Sequence, residues 1–374
     1  MTKVFCIGRG LVTPVGNDPA EVLAAVRQGK SAFRMYDGWP EPYYASLLDR
    51  EGYEGPSFFD HIALQAARAA VAEAGIDVSD VRVGLVLSSI KGNVEKIDGE
   101  DVSLAQSASR LASALGVTTA PVVVSNACIS GLAALLQGVR MLCSGAYDHV
   151  VVVGAEVQSR FIVTGFQSLK ALSLNPCRPF DADRDGLNVG EAAAAMVLSS
   201  QPVPKNQFSG TSSGPTRIGV WEIVDGAVRN DANHISGPSR TGEGSYNALR
   251  YVMEGVSASD LAFVNVHGTA TRYNDQMEAI ALNRAGLQDV PVNALKGIFG
   301  HTMGAAGILE SIVSMEACNA GIVLPTQGFE KMGVDPAVSV SASERAAEKK
   351  CFVKLLSGFG GVNGALLFRK GGAL

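Results

Sequence analysis

Val124-Ser-Asn-Ala-Cys-Ile-Ser-Gly131 runs directly into Leu132-Ala-Ala-Leu-Leu-Gln-Gly-Val-Arg-Met-Leu-Cys143, and this joint decides the fold. Pro121–Val124 reads as a strand, and the segment from Ile129 to Leu142 reads as a helix. The helix is small or apolar on nearly every face, which marks an element buried all round rather than one lying on a surface. Cys128 stands between the two. A thiol at a helix N-terminus lies near free backbone N–H groups, which favour a thiolate and can cradle an oxyanion when an acyl group sits on the sulfur. The plainer reading of a lone cysteine in an apolar stretch is a small buried hydrophobe.

The pattern recurs in the second half of the chain. Gly300-His-Thr-Met-Gly-Ala-Ala-Gly leads into Ala305-Ala-Gly-Ile-Leu-Glu-Ser-Ile-Val-Ser-Met-Glu-Ala-Cys318, again small or apolar on nearly all faces. Around these helices, strand-like runs (Val4–Leu11, Val81–Ser89, Asp148–Glu156, then Arg217–Val228, Leu261–His267, Pro291–Leu295, Lys354–Phe368) alternate with helix-like ones. The helix-like runs are Ala20–Gln28, Ile62–Ala74, Leu104–Leu115, Tyr246–Val256 and Asp275–Arg284. Such alternation specifies an α/β fold. Ser199–Arg217, rich in Ser, Gly, Pro, Gln and Asn, reads as a connection. The expectation is two duplicated α/β halves, residues 1–205 and 206–374, with the two central helices between sheets.

Composition removes several function classes. Hydrophobic residues make up 47% of the 374 and charged residues 18%, which points to buried helices, a large subunit interface, or both. The apolar runs Val150–Val153 and Ala192–Leu198 are far too short to cross a bilayer, and the first residues lack the pattern of a signal peptide. A net charge of −5 with no basic block argues against nucleic acid as a partner. Six cysteines without a Cys-x-x-Cys pair argue against zinc fingers and redox pairs, and suit a reducing, cytoplasmic setting. Cys6, Cys143 and Cys318 fall inside apolar elements and read as small buried hydrophobes. No His/Asp/Glu cluster has metal-ligand spacing, so no metal is expected. Gly358-Phe-Gly-Gly-Val-Asn-Gly364 precedes an apolar strand rather than a helix, so it is not a dinucleotide loop.

Five histidines remain to be weighed. His267 follows the apolar run Phe263-Val-Asn-Val and opens Gly-Thr-Ala-Thr, while His301 directly precedes the second buried helix. Both occupy Gly-flanked strand-end loops, where catalytic groups of α/β folds collect. His61 reads as structural or surface, His149 as entering a strand, and His234 as loop. Lys296, five residues before His301, stands in an apolar strand-end and is expensive to bury without an acidic partner. Glu310 on the second buried helix is the candidate. A cation there would hold the His301 imidazole neutral by like-charge repulsion.

Together these segments resemble the β-ketoacyl-acyl carrier protein synthase family, which has the thiolase-like fold in a layered αβαβα arrangement. The resemblance starts at Gly8-Arg-Gly-Leu-Val-Thr-Pro-Val-Gly16 and includes the Cys128 joint and Arg178-Pro-Phe-Asp-Ala-Asp-Arg-Asp-Gly186. It continues through Val264-Asn-Val-His-Gly-Thr-Ala-Thr271, Asn274-Asp-Gln-Met-Glu278, Lys296, Gly300–Glu310 and Gly358-Phe-Gly-Gly-Val-Asn363. It implies that Cys128 is the nucleophile that accepts an acyl chain from carrier-protein pantetheine. His267 and His301 would bind the malonyl thioester carbonyl and stabilise the enolate formed as carbon dioxide leaves, with Lys296 and Glu310 as the supporting ion pair. Thr269 and Thr271 resemble pantetheine contacts, Phe359 the aromatic of a gating loop, and Ile90 a residue lining the acyl pocket. No cofactor is expected, because phosphopantetheine arrives on the acyl carrier protein. A dimer, with itself or a homologous ketosynthase-like subunit, is implied.

The chain departs from the family pattern at Leu356-Ser357, where the family often has Asn, Ser and an aromatic, at Glu191-Ala-Ala, and in the shortened stretch between Ile90 and Cys128. Chain-length preference is therefore not carried over, and specialised polyketide or polyene assembly stands beside fatty-acid synthesis. Two alternatives are a CoA-dependent thiolase or initiating synthase and a non-catalytic, chain-length-factor-like partner. Cys351 lies at a strand start rather than in a thiolase's Gly-rich loop. His301 fills the place where initiating synthases have asparagine.

Overall fold

The computed structural model describes residues 2–97, 102–201 and 220–371. Its main sheet takes β1 (Val4–Val12), β2 (Val83–Ser88), β3 (Val122–Val124), β4 (His149–Glu156) and β5 (Ala192–Ser199) from the first half of the chain. The second half supplies β6 (Trp221–Asn230), β7 (Leu261–Asn265), β8 (Val292–Asn293), β9 (Cys351–Gly358) and β10 (Val362–Lys370). The strand order is β8-β7-β9-β10-β6-β1-β5-β4-β2-β3. Read outward from the centre, each half runs first, fifth, fourth, second, third strand, through two antiparallel and then two parallel pairings. This is the duplication the sequence predicts. The halves join where Val4–Cys6 pair antiparallel with Trp221–Ile223. The expected boundary at 205/206, and most of the connection 199–217, lie outside the described residues.

The helices are α1 (Pro19–Arg27), α2 (Phe58–Ala74), α3 (Leu104–Leu115), α4 (Ser130–Cys143), α5 (Arg160–Ser168), α6 (Glu243–Val252), α7 (Arg272–Arg284), α8 (Lys296–Phe299) and α9 (Ala306–Asn319). α2 and α3 cover the first-half strands on their outer face, and α6 with α7 cover the second-half strands. α4 and α9 touch strands of both halves and lie between them, completing an αβαβα thiolase-like stack. Both faces of the central strands are therefore covered, which is why Val150–Val153 and Ala192–Leu198 are continuous apolar runs without alternation. The central helices cross closely because each offers a glycine. A Cβ on Gly307 would fall 2.3 Å from the Leu132 nitrogen, and one on Gly131 would fall 2.8 Å from the Gly304 oxygen. On the outside, α2 starts with the Ser57 hydroxyl accepting the Asp60 N–H at 3.1 Å and stops at Gly75 with φ 63°.

Three expectations change. Lys354–Phe368 is not one strand but the hairpin β9–β10, turned by Gly360 and Gly361 at φ 86° and 73°, values that favour glycine. Pro291–Leu295 shortens to the two residues of β8, and Lys296 opens the four-residue helix α8 instead of ending a strand. Cys143 ends α4 as expected but is exposed, because the last turn emerges from between the sheets. The hairpin Phe33–Trp39/Glu41–Ser46 and α5 were not foreseen. No described helix is long and apolar enough to cross a membrane.

Candidate active site

β3 delivers the chain to Cys128, and α4 begins two residues later. The connecting turn is locked by Ser130, whose hydroxyl accepts the Asn126 N–H at 2.7 Å and donates to the Ala127 carbonyl at 2.6 Å. Ala127 takes φ 45°, an uncommon setting for a residue with a Cβ. The end of β9 closes in from the second half: a Cβ on Gly358 would stand 3.1 Å from the Cys128 nitrogen. Cys128 is buried, yet it lines a cavity of about 450 Å³ together with His267, His301 and Phe359.

The two imidazoles arrive from separate elements of the second half. β7 ends just before His267, whose backbone N–H donates to Glu278 Oε1 at 2.7 Å while the Gly268 N–H donates to Oε2 at 2.8 Å. His301 follows α8, and its N–H donates to the Asn188 carbonyl at 2.7 Å. The rings stand 4.9 Å apart between centroids, at 79° to one another. Among the described residues, Cys128, His267 and His301 form the set whose ligand-type atoms all lie within 4.8 Å of one another. Hydrogen bonding decides what that set suits. Nδ1 of His301 accepts the Met303 N–H at 3.2 Å, so the proton sits on Nε2, which is buried without a partner. An N–H facing a cavity is a donor to an oxyanion rather than a lone pair for a metal.

Behind the imidazoles lies a dry charge cluster. Lys296 Nζ reaches Glu310 Oε1 at 2.8 Å, the pairing expected from the sequence. Lys354, in the middle of β9, binds the other oxygen of Glu310, and its Nζ also donates to Asn265 Oδ1 at 2.6 Å and to the Val266 carbonyl at 3.3 Å. All three charged side chains are buried. Burial and then the two ammonium groups hold His267 and His301 well below the usual imidazole range, so both rings are neutral at pH 7. Burial alone would raise Glu310, but the two lysines outweigh it and hold the carboxyl below its ordinary value. Burial also pushes the Cys128 thiol up to about 11, against the pull of Lys296 and of the Phe359 and Cys128 N–H groups. The resting group is thus a thiol. Desolvation outweighs the thiolate stabilisation that the helix mouth suggested.

Thr269 and Thr271 share a hydroxyl–hydroxyl hydrogen bond of 2.9 Å on the cavity wall. Phe359 sits on the turn after β9, exposed, with its ring 6.0 Å from that of Phe166 on α5. Ile90 packs against the cluster that holds Tyr43, Phe166 and Met303, its N–H donates to Glu156 Oε2 at 3.0 Å, and it is not among the residues lining the Cys128 cavity. Sequence reasoning missed Lys354 and the rim residues His234, Asp231 and Arg272. A lysine inside the apolar run Cys351-Phe-Val-Lys-Leu-Leu356 carried the same warning as Lys296; Asp231 and His234, in polar loop sequence, and Arg272, at the start of α7, carried none.

Comparison with known proteins agrees with this architecture. Residues 53–202 match the family described as Beta-ketoacyl synthase, N-terminal domain, and residues 220–330 match Beta-ketoacyl synthase, C-terminal domain. The 3-oxoacyl-[acyl-carrier-protein] synthase 2 of Vibrio cholerae is 27% identical over 98% of this chain and 99% of its own. That of Rhizobium meliloti is 28% identical over 99% of both. A crystal structure of a β-ketoacyl synthase from Burkholderia phymatum superposes with a TM-score of 0.86 at 28% identity, covering 100% of both chains. A ketosynthase from Xenorhabdus doucetiae, solved in complex with its chain length factor, shares the fold with a TM-score of 0.82 at 23% identity, over 99% of this chain and 98% of its own.

Proposed function

The chain belongs to the β-ketoacyl synthase family, and we propose that it joins an acyl thioester to a malonyl thioester by decarboxylative condensation, in fatty-acid or polyketide biosynthesis. Cys128 attacks the acyl thioester on a carrier protein, its thiol proton leaves on the departing pantetheine sulfur, and an acyl-Cys128 thioester remains. The N–H groups of Cys128 and Phe359, both near the sulfur, suit the oxyanion of that step. Malonyl-carrier protein then enters past Thr269 and Thr271. Its thioester carbonyl accepts from His267 and His301, the bond to the carboxylate breaks, carbon dioxide departs, and the electron pair forms an enolate. The enolate carbon bonds to the acyl carbon, the carbon–sulfur bond to Cys128 breaks, and the thiolate takes a proton from water, which replaces the one carried off on pantetheine.

The observation that carries this reading is one buried sulfur and two neutral imidazoles around a single cavity, with a proton on His301 Nε2 and no partner for it. Lys296 and Glu310 support the imidazoles from behind. Phe359, exposed beside Phe166, suits a gate to Cys128. The chain needs no cofactor of its own, because phosphopantetheine comes with the carrier protein. It works as a dimer with itself or with a homologous ketosynthase-like subunit, a pairing supported by the Xenorhabdus doucetiae complex. Six cysteines free of disulfides suit the cytoplasm. The test is intact-mass acylation of the purified chain by a panel of acyl-carrier proteins. Acyl mass on Cys128 followed by turnover with malonyl-carrier protein is expected. Acylation by acyl-CoA alone would replace this reading with an initiating synthase or thiolase. Condensation by an assembly that is unaffected by Cys128→Ala would make the chain a non-catalytic partner.

A further inference from the structure

We propose that Lys354 is a positioning residue for the condensation: its ammonium gives the buried Glu310 cluster a net positive charge and anchors the end of β7, so that both imidazoles are held neutral and His267 is held in place. The inference rests on the reading of His267 and His301 as oxyanion donors.

Charge counting makes the case. Lys296 alone would neutralise Glu310, at 2.8 Å. A neutral side chain at 354 would leave that pair balanced and would spare the protein the burial of a further ammonium, which is unfavourable in a dry interior. Lys354 is nonetheless there, fully buried and on the second oxygen of Glu310. Its remaining bonds go to Asn265 and to the carbonyl of Val266, the two residues that immediately precede His267. Asn265 is itself held by its side-chain bond to Asn293 Oδ1 at 3.1 Å. The lysine therefore braces the strand end that carries one imidazole, while Lys296 opens the short helix that leads to the other.

Charged and titratable groups approach the two rings from several elements, and Lys170, Asp185, Asp231, His234 and Arg272 line the same cavity. Lys296 faces them from α8, Lys354 from β9, Glu310 from α9, and Cys128 from the turn before α4. Glu278 on α7 receives the His267 and Gly268 N–H groups, and Asp275 on the same helix receives that of Phe180. Glu156 on β4 receives that of Gly304. Burial comes first among the influences on both imidazoles, followed for both by Lys296, and both also feel Lys354. Burial draws Lys354 itself down to about 8, so it remains cationic at pH 7.

The test is Lys354→Met in the full chain, read in two ways. Imidazole protonation is followed by nitrogen NMR of histidine-labelled protein from pH 5 to 8, with His267→Asn and His301→Asn for assignment. Loss of one buried cation should raise the midpoints by about one pH unit. The acid limb of malonyl-carrier-protein decarboxylation should move up with them, while the rate at pH 8 falls less than at pH 6. If Lys354→Met does not fold, Asn265→Asp cancels the excess charge with Lys354 still present and should move the midpoints the same way. Imidazole protonation and malonyl-carrier-protein decarboxylation both indistinguishable from wild type across this range would overturn the proposal. A wild-type chain that fails to decarboxylate malonyl-carrier protein would instead sink the condensation reading, and the NMR result would still judge Lys354.

Discussion

Glu310→Gln should cost this protein several kcal/mol, and the cost should depend on pH in a stated direction. The carboxylate lies between Lys296 and Lys354, and all three side chains are buried. Glutamine keeps the shape and removes the negative charge. Each lysine must then stay charged without a counter-ion or fold as a neutral amine. Releasing the proton of an ordinary lysine at pH 7 takes about 4.6 kcal/mol, which caps the loss from either one. Breaking a buried pair by removing one partner costs about 3–5 kcal/mol, so the two routes agree. In the variant the unfolded chain binds a proton that the folded chain does not, so its stability rises with pH, by about 1.4 kcal/mol per unit for each neutralised lysine. In the wild type, Lys354 is drawn down to about 8 by burial, so it is charged in both states well below that pH and adds only a small slope as pH 8 is approached. Between pH 6.5 and 8 the gap between the two proteins should therefore close by about 2 kcal/mol for one lysine. Urea unfolding followed by circular dichroism, at fixed protein concentration and four pH values across that window, reads both numbers. A gap that ignores pH, or a total loss below about 1 kcal/mol, would refute the reasoning.

Gly307→Ala places a Cβ 2.3 Å from the Leu132 nitrogen, where backbone rather than a flexible side chain must yield, and should lower stability by about 1–3 kcal/mol in thermal unfolding. His301→Ala removes one oxyanion donor: decarboxylation of malonyl-carrier protein should fall about 10²–10³-fold while acyl transfer to Cys128, followed by intact mass, persists. With the thiol of Cys128 raised to about 11 by burial, a small polar alkylating reagent at pH 7 should label exposed Cys143 at least as fast as Cys128. A thioester-mimicking electrophile that fills the cavity should reverse that order in peptide mapping.

Much of this was legible in the sequence because the decisive elements violate ordinary surface patterning. α4 and α9 are apolar all round, and only a layer between two sheets accommodates that. Cys128, His267 and His301 stood out as the reactive residues in Gly- and Ala-rich loops at strand or helix ends. The hairpin Phe33–Trp39/Glu41–Ser46 did not, since its half-exposed, mixed residues carry no clean alternation. Lys354 was legible in principle, but its cost shows only once the strand is known to be interior on both faces.

The polar state of the site follows from a single cause acting on groups of opposite sign. Burial disfavours the thiolate of Cys128 and the imidazolium forms of His267 and His301 alike, so the resting cavity wall carries no charge on any of the three. Glu310 with its two lysines, set behind the rings, adds a net positive field without placing an ion in the path of the substrate. On the proposed reading, malonyl-carrier protein brings in its own carboxylate, and the new negative charge that forms in the cavity is the oxyanion of the reacting thioester. It meets N–H donors already aimed and a field already favourable, so little need reorganise as the charge forms. The high pKa of Cys128 is therefore consistent with a nucleophile that gives up its proton only as the acyl group arrives.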